Sequence, residues 1–296
     1  SKDEKIVNGY TITEIIATNT PTDLPISMYS KIFSSLSADY ISNNNETLKA
    51  VDQISNYFGN IGTYIMDRGY DDKKYFKEFN NRGLKYIIRG KKNRTVLYKE
   101  NKINIVDLAK QFKGKYNITL NIKGKTINRY CSYAKINISD VKEELYAEFV
   151  YFKNEVAIFY TNRELNVKND VLNVIKNYYM RWRIEEYFKY KKQTFDFENY
   201  RVRTLKKMNA LNLMITLAIS CIYMITQNSI KLKEDVINIS KAIKGEVYFE
   251  YYRITEGIYI ALSHITKSTR HLIKKEKPSK YTQIAFFGVA LIFAET

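Results

Sequence analysis

The stretch YYMRWRIEEYFKYKK, residues 178–192, decides how this chain is interpreted. It ends a longer segment, residues 168–192, in which apolar residues recur at helical spacing. On one continuous helix of about 3.6 residues per turn, a single stripe carries four functional side chains, Tyr178, Arg181, Glu185 and Lys192. The segment is therefore predicted to be one helix that presents polar and charged groups in a fixed order.

The predicted environment of Glu185 makes this helix a candidate for chemistry. Val171 and Val174 fall on the same stripe, so we expect Glu185 to face protein, whereas Lys191 falls on the opposite side. A carboxylate on a packed face is costly unless a cation or a metal ion compensates it. Taken alone, such a residue more often forms a structural salt bridge than a catalytic site.

Upstream of this helix, strand and helix patterns alternate. Strands are predicted at residues 11–18, 24–29, 61–66 and 84–88, and helices at residues 46–58 and around Phe76. The apolar run 61–66 ends at Asp67, and Asp71 or Asp72 can cap the helix that follows. Strand, helix, strand, helix, strand is typical of an α/β protein.

The pattern changes after residue 94. Residues 95–161 contain several alternating segments, with hairpin turns predicted at 123–125 and 153–154, so we expect an all-β insertion. Helical patterns dominate after residue 162 and include residues 204–227 and 235–244. The apolar run 213–225 is shorter than the roughly 20 residues that span a membrane, so a buried helix is predicted there.

Composition indicates a polyanionic partner. The chain has 296 residues, and its 48 Lys and Arg against 31 Asp and Glu give a net charge of 48 − 31 = +17. A charge this positive favours nucleic acid, with a membrane surface as the competing partner. Two cysteines without motif spacing provide no disulfide framework or zinc site. Basic residues cluster after residue 88, at Arg89, Lys91, Lys92 and Arg94, and again at residues 201–207.

The spacing Tyr178-x2-Arg181-x3-Glu185-x6-Lys192 resembles the signature of bacterial DDE transposases of the insertion-sequence-four family. A second resemblance lies in TYIMDRGYD, residues 63–71, which is similar to the family's strand followed by Asp-Arg. The resemblance covers nearly the whole chain and weakens after about residue 227. It implies an RNase H-like α/β core interrupted by the all-β insertion, with C-terminal helices.

The resemblance also implies roles for individual residues. Asp67 and Glu185 would be the catalytic carboxylates and the ligands of Mg²⁺ or Mn²⁺, and paired ions of this kind support in-line attack at phosphorus. Tyr178, Arg181 and Lys192, with Arg68, would contact DNA phosphates. The alternative for Asp67 is a helix-capping residue at a strand end.

One part of the family pattern is missing. The family's first catalytic Asp lies on a strand that precedes the Gly9-Tyr10 turn, and Asp3 has no apolar run before it. We therefore expect an N-terminally truncated chain whose sheet lacks its first strand and leaves the neighbouring strands unpaired. The predicted divisions are the first part of the core at 1–94, the insertion at 95–161, the second part of the core at 162–227 and a helical region at 228–296.

The leading hypothesis is a transposase catalytic fragment that cleaves and transfers DNA at the ends of a mobile element. Without the first Asp it is expected to be inactive alone. The alternative is a non-catalytic DNA-binding remnant that modulates an intact transposase; a nuclease without strand transfer fits the spacing less well. The resemblance implies DNA ends and target DNA as partners, a homodimer in the synaptic complex, no membrane, and a bacterial cytoplasmic location at the nucleoid.

Overall fold

The computed structural model describes residues 10–112, 114–122, 125–202, 204–241, 249–265 and 285–292. In chain order, the strands are β1 (Tyr10–Thr18), β2 (Ile26–Ser34), β3 (Thr63–Met66), β4 (Lys85–Arg89), β5 (Thr95–Tyr98), β6 (Asn101–Asn104), β7 (Tyr116–Ile122), β8 (Lys125–Ile136), β9 (Leu145–Tyr151), β10 (Val156–Thr161) and β11 (Ala285–Ile292). The helices are α1 (Asn43–Phe58), α2 (Lys73–Asn81), α3 (Ile105–Gln111), α4 (Lys168–Tyr179), α5 (Trp182–Phe195), α6 (Leu205–Asn228), α7 (Ile230–Ile239) and α8 (Tyr251–Ile265). The predicted mixed α/β class, with a β-rich segment and C-terminal helices, is confirmed.

The chain divides into two compact units. The first comprises Ser1–Asn56 and Ile184–Phe287, and the second comprises Tyr57–Arg183 and Gly288–Thr296. The divisions predicted at residues 94, 161 and 227 stay predictions.

In the first unit, β1 and β2 form an antiparallel pair that packs against α6. Ile12 lies opposite Ile32, and a bulge interrupts the register between Ile15 and Ile16. The side-chain amide of Asn209 on α6 bonds the backbone of β2 at one residue: Ile32 N–H donates to Oδ1, and Nδ2 donates to the Ile32 carbonyl, both at 2.8 Å. One side chain thus serves both backbone groups of Ile32.

Helix α6 is not the buried helix that the sequence predicted. Its side chains Leu213, Met214, Leu217 and Met224 are all more than half exposed. Among the described helices, α6 is long and apolar enough to cross a membrane, judged by length and composition alone. Core helices of soluble proteins meet the same criteria, so this does not indicate a membrane span. The expectation of burial was wrong because α6 packs through only one of its faces.

In the second unit, β3 and β4 run parallel, with Met66 beside Ile88. Strands β10, β9, β8 and β7 follow β4 in that order, and each pairs antiparallel with its neighbour. Strands β7 to β10 therefore extend the same sheet as β4, whereas β5 and β6 form a separate antiparallel pair. Helix α3 within the β-rich segment was not predicted, although Asn104 accepts a hydrogen bond from Val106 N–H as its N-cap.

The edge of β3 is covered. Val289 to Ile292 of β11 pair antiparallel with Met66 to Thr63, on the side of β3 that does not face β4. The expectation that the missing first strand would leave this edge of β3 unpaired was wrong, because the C-terminal strand β11 pairs with it. Asp3, which bears on the first catalytic Asp, lies outside the described residues.

Candidate active site and nucleic-acid interface

Asp67 lies at the carboxyl end of a buried parallel strand. The four residues of β3 are all buried, and the chain reaches the surface at Asp67, which is exposed. The Asp67 carboxylate oxygen Oδ1 accepts a 2.7 Å hydrogen bond from Gly69 N–H, so this residue is the N-cap of a short 3₁₀ turn, Arg68–Tyr70. A Cβ at Gly69 would lie 3.0 Å from that oxygen, so glycine suits this tight approach. The predicted capping role is present in an exposed strand-end carboxylate.

Basic side chains gather at the same end of β3 and β4. Arg68 is exposed directly after Asp67, and Arg89 is the last residue of β4. Lys92 pairs with Glu155 at 2.8 Å. The hydrogen bond from Lys92 and the charges of Lys92, Arg89 and Arg68 lower the pKa of Glu155, so all three cations lie near this carboxylate. The carboxyl ends of the parallel strands thus carry one acidic candidate and a group of cations.

Asp71 anchors the loop that follows β4. Its side chain is fully buried, its Oδ1 pairs with Arg94 at 2.5 Å, and its Oδ2 accepts a 2.6 Å hydrogen bond from Lys91 N–H. Asp72, not Asp71, caps α2 by accepting from Lys74 N–H at 2.8 Å. The basic residues after β4 therefore divide: Arg94 has a structural ion pair, while Lys91 and Lys92 are exposed.

The predicted single helix over residues 168–192 is wrong. Helix α4 ends at Tyr179 and α5 begins at Trp182. The N–H groups of Met180, Arg181 and Arg183 donate to carbonyls three residues earlier rather than four. A 3₁₀ turn advances about 120° per residue instead of about 100°, so one helical wheel does not extend across the break.

Glu185 lies on the outside of α5, which corrects its predicted position. The buried residues of α5 are Ile184, Tyr187, Phe188, Tyr190 and Lys191, and Glu185 is exposed. Glu185 and Lys192 still share a side because they are seven residues apart. The predicted stripe is therefore real within α5, but it faces outward.

Lys191 is buried, although the sequence predicted that it would lie on the side of the helix opposite the packed face. Its ammonium nitrogen Nζ lies 2.9 Å from Glu14 Oε2 and 2.8 Å from Asn212 Oδ1. Ser30 donates to Glu14 Oε2 at 2.7 Å, and Ser27 donates to Glu14 Oε1. This polar network, which holds α5 against β1, β2 and α6, joins residues far apart in sequence, so periodicity could not find it.

The three remaining signature residues have different environments. Tyr178 is buried, its ring centroid lies 4.3 Å from that of Phe159, and its hydroxyl has no hydrogen-bond partner in the part of the chain described. The Arg181 guanidinium carbon lies 6.0 Å from the centroid of the Tyr178 ring. Lys192 is partly exposed and pairs with Glu198 at 2.6 Å. Arg181 and Lys192 are thus nearer the surface than Tyr178.

The metal-binding capacity of the described residues is limited. Asp67 and Glu185 are exposed carboxylates, and carboxylate oxygen suits Mg²⁺. Asp67 and Arg68 belong to the second unit, and Glu185 and Lys192 to the first. Over the described ranges, no group of three or more His, Cys, Asp or Glu side chains could hold a metal ion. The donor chemistry fits, but a complete ligand cluster is not present among these residues.

A known protein family matches most of the chain. The sequence model of a family described as "Transposase DDE domain" matches residues 33–221, which include Asp67, Glu185 and the region between them. No curated protein matches the chain.

Proposed function

Because this chain belongs to the family of transposase DDE domains, we propose that it is a catalytic region of an insertion-sequence-four transposase that cleaves and transfers DNA at element ends. One observation supports this most: the matched region contains an exposed Asp-Arg pair at the carboxyl end of β3 and the Tyr-Arg-Glu-Lys spacing. We propose action in the bacterial cytoplasm at the nucleoid, as a homodimer on DNA and without a membrane.

In this proposal Asp67 and Glu185 bind divalent ions, Mg²⁺ or Mn²⁺. Such ions would stabilise the attacking and leaving oxygens at phosphorus. Asp67 is held in place by its bond to Gly69 N–H, and Glu185 is directed outward by the buried face of α5. Efficient cleavage requires a further carboxylate, and our assignment finds none among the described residues, so we expect this chain alone to nick DNA slowly or not at all.

Arg68, Arg181 and Lys192 are the proposed phosphate contacts. Arg68 is exposed beside Asp67, and Lys192 would exchange its ion pair with Glu198 for a phosphate. Tyr178 has a buried ring, so we propose that it supports Arg181 by packing beneath its guanidinium.

Mn²⁺ binding tests the metal assignment without requiring turnover. We expect Asp67→Asn and Glu185→Gln each to weaken binding measured by electron paramagnetic resonance. Asp72→Asn is a matched control, because Asp72 is also an exposed capping aspartate, and Glu186→Gln controls for Glu185. The double variant tests whether the two carboxylates act on the same bound ion, in which case its loss differs from the sum of the two single losses. Equal loss in the controls would contradict the assignment.

The absence of a three-carboxylate group among the described residues favours one alternative, a DNA-binding protein that modulates an intact transposase. Plasmid nicking with Mn²⁺ separates the two functions. Nicking that Glu185→Gln abolishes supports the catalytic function, whereas DNA binding without either nicking or specific Mn²⁺ binding supports the alternative.

A further inference from the structure

A second cationic feature lies in the unit that carries Asp67 and Arg68, and it contains none of the signature residues. A cavity of about 350 Å³ is lined by the loop after β4, strands β5 and β6, the first turn of α2 and the segment after β8. Cavities that hold small ligands begin at about this size. Its lining includes the cationic side chains Lys73, Lys91, Arg94 and Lys102 and the neutral side chains Asn93 and Ser139.

The charges around this cavity do not cancel. Lys73 pairs with Asp140 at 2.7 Å, and Arg94 pairs with buried Asp71. Lys91 and Lys102 are exposed, and over the described residues neither has an ion-pair partner. Two of the four cations are therefore balanced internally, and the other two give the cavity a net positive charge.

Asp71 connects the cavity to the Asp67 end of the sheet. It follows the 3₁₀ turn that Asp67 caps, and it bonds both Lys91 N–H and the Arg94 side chain. Lys91 and Lys92 are consecutive: Lys92 approaches Glu155 with Arg68 and Arg89, whereas Lys91 lines the cavity. The loop thus places basic residues both near Glu155, with Arg68, and at the cavity, with Lys102.

We propose that this cavity binds phosphodiester groups of DNA, with Lys91 and Lys102 as the phosphate contacts and Ser139 and Asn93 as neutral hydrogen-bond donors. The inference rests on the proposed function and adds a phosphate site separate from the signature residues. DNA is the favoured ligand because the loop that lines the cavity also carries Lys92 near Arg68 and Arg89, on a chain of net charge +17, and phosphate contacts dominate the affinity of basic surfaces for DNA.

Duplex DNA of random sequence tests the site across a salt series. A plot of the logarithm of affinity against the logarithm of salt concentration has a negative slope. The double variant Lys91→Gln/Lys102→Gln should make this slope shallower by about 2, because two phosphate contacts are lost. The control Lys85→Gln/Lys142→Gln removes the same charge from exposed lysines, one of them at the amino end of β4, and should change the slope less. Arg94 is left intact because its partner Asp71 is buried.

A substitution of opposite sign sharpens the test. Asp140→Asn removes the partner of Lys73 and should raise DNA affinity, whereas Asp107→Asn, which removes the equally exposed partner of Lys110, should not. Unchanged thermal unfolding midpoints would show that these surface variants are folded.

The outcomes separate the two proposals. If the unmodified chain shows no salt-dependent DNA binding, both the proposed function and this inference fail. If it binds DNA but the cavity variant and its lysine control respond equally, only the cavity assignment fails. Inorganic pyrophosphate provides the remaining arm: calorimetric binding that depends on Lys91 and Lys102, together with unchanged DNA affinity in the variant, would assign the cavity to a free anion and overturn the DNA site.

Discussion

Two glutamates, Glu14 and Glu148, are completely buried on strands of different units, and their surroundings are opposite. Glu14 on β1 accepts hydrogen bonds from Ser27 and Ser30 and pairs with Lys191. Glu148 on β9 has no hydrogen-bond partner at either oxygen within the described chain, and burial raises its pKa well above the usual value. Burial alone therefore does not decide whether a carboxylate stabilises a fold; its partners do.

The difference matters for the candidate site. The Glu14–Lys191 pair fixes the inner side of α5, the helix whose outer side carries Glu185 and Lys192. Glu148 lies on the strand between β8 and β10, opposite Tyr133 and Phe159, and Arg163 is the cation that opposes the rise in its pKa. One glutamate thus holds a helix that carries two of the proposed site residues, while burial disfavours the charged form of the other.

The largest expected effect comes from breaking the paired site. Lys191→Met should lower the free energy of unfolding by about 3–5 kcal/mol, because Glu14 would be left buried without a counter-charge. Chemical denaturation of the single variants and of Glu14→Leu/Lys191→Met measures the coupling, and the double variant should recover most of the loss. A single-variant loss below about 1 kcal/mol would show that the pair does not hold α5.

Removing the unpartnered carboxyl should have the opposite sign. Glu148→Met should raise the free energy of unfolding by about 1–3 kcal/mol, since a buried group without hydrogen bonds is replaced by an apolar side chain of similar length.

The gain at Glu148 should depend on pH. Because the pKa of Glu148 is raised in the folded state, the folded protein binds the proton of this carboxyl more tightly than the unfolded chain does. The free energy of unfolding therefore falls as the pH rises above about 4.5, the ordinary pKa of glutamate. Denaturation at pH 5 and pH 8 should show a larger advantage for the Met variant at the higher pH. An advantage independent of pH would mean that Glu148 is charged and paired when folded.

The smallest effect is expected at the exposed carboxylates. Asp67→Ala and Asp72→Ala should each cost about 1 kcal/mol or less, the value of one capping hydrogen bond. Thermal denaturation provides the measurement. A loss at Asp67 comparable to that at Lys191 would indicate that Asp67 is mainly structural and would weaken its assignment as a metal ligand.

Local patterns predicted much of the secondary structure. Strand β1 was predicted at 11–18 and found at Tyr10–Thr18, and β4 was predicted at 84–88 and found at Lys85–Arg89. Strands of this kind can be predicted because their signal, a short apolar or alternating run, is contained in the local sequence. Helix α1 begins at Asn43 rather than at the predicted residue 46. Several adjacent polar residues can cap a helix there, so the sequence does not fix its first residue.

The orientation of the signature helix could not be predicted in the same way. A helical wheel assumes a constant rotation per residue, which the 3₁₀ turn at Met180 and Arg181 breaks. The same wheel placed Lys191 on the side opposite Glu185 and therefore away from the packed face, and its partner Glu14 lies 177 positions away in sequence. Residue spacing identified Glu185 and Lys192 as neighbours on one side, but only tertiary contacts determine which side faces outward.

The pairing of Asn209 with Ile32 has a consequence for behaviour at high concentration. Strand β2 has β1 as its one neighbour among the described strands, so its other edge could recruit a strand from a second molecule. The Asn209 amide occupies both ladder groups of Ile32, which lies towards the carboxyl end of that edge. A single side chain on α6 thereby interrupts the row of free backbone groups and protects the molecule against edge-to-edge aggregation.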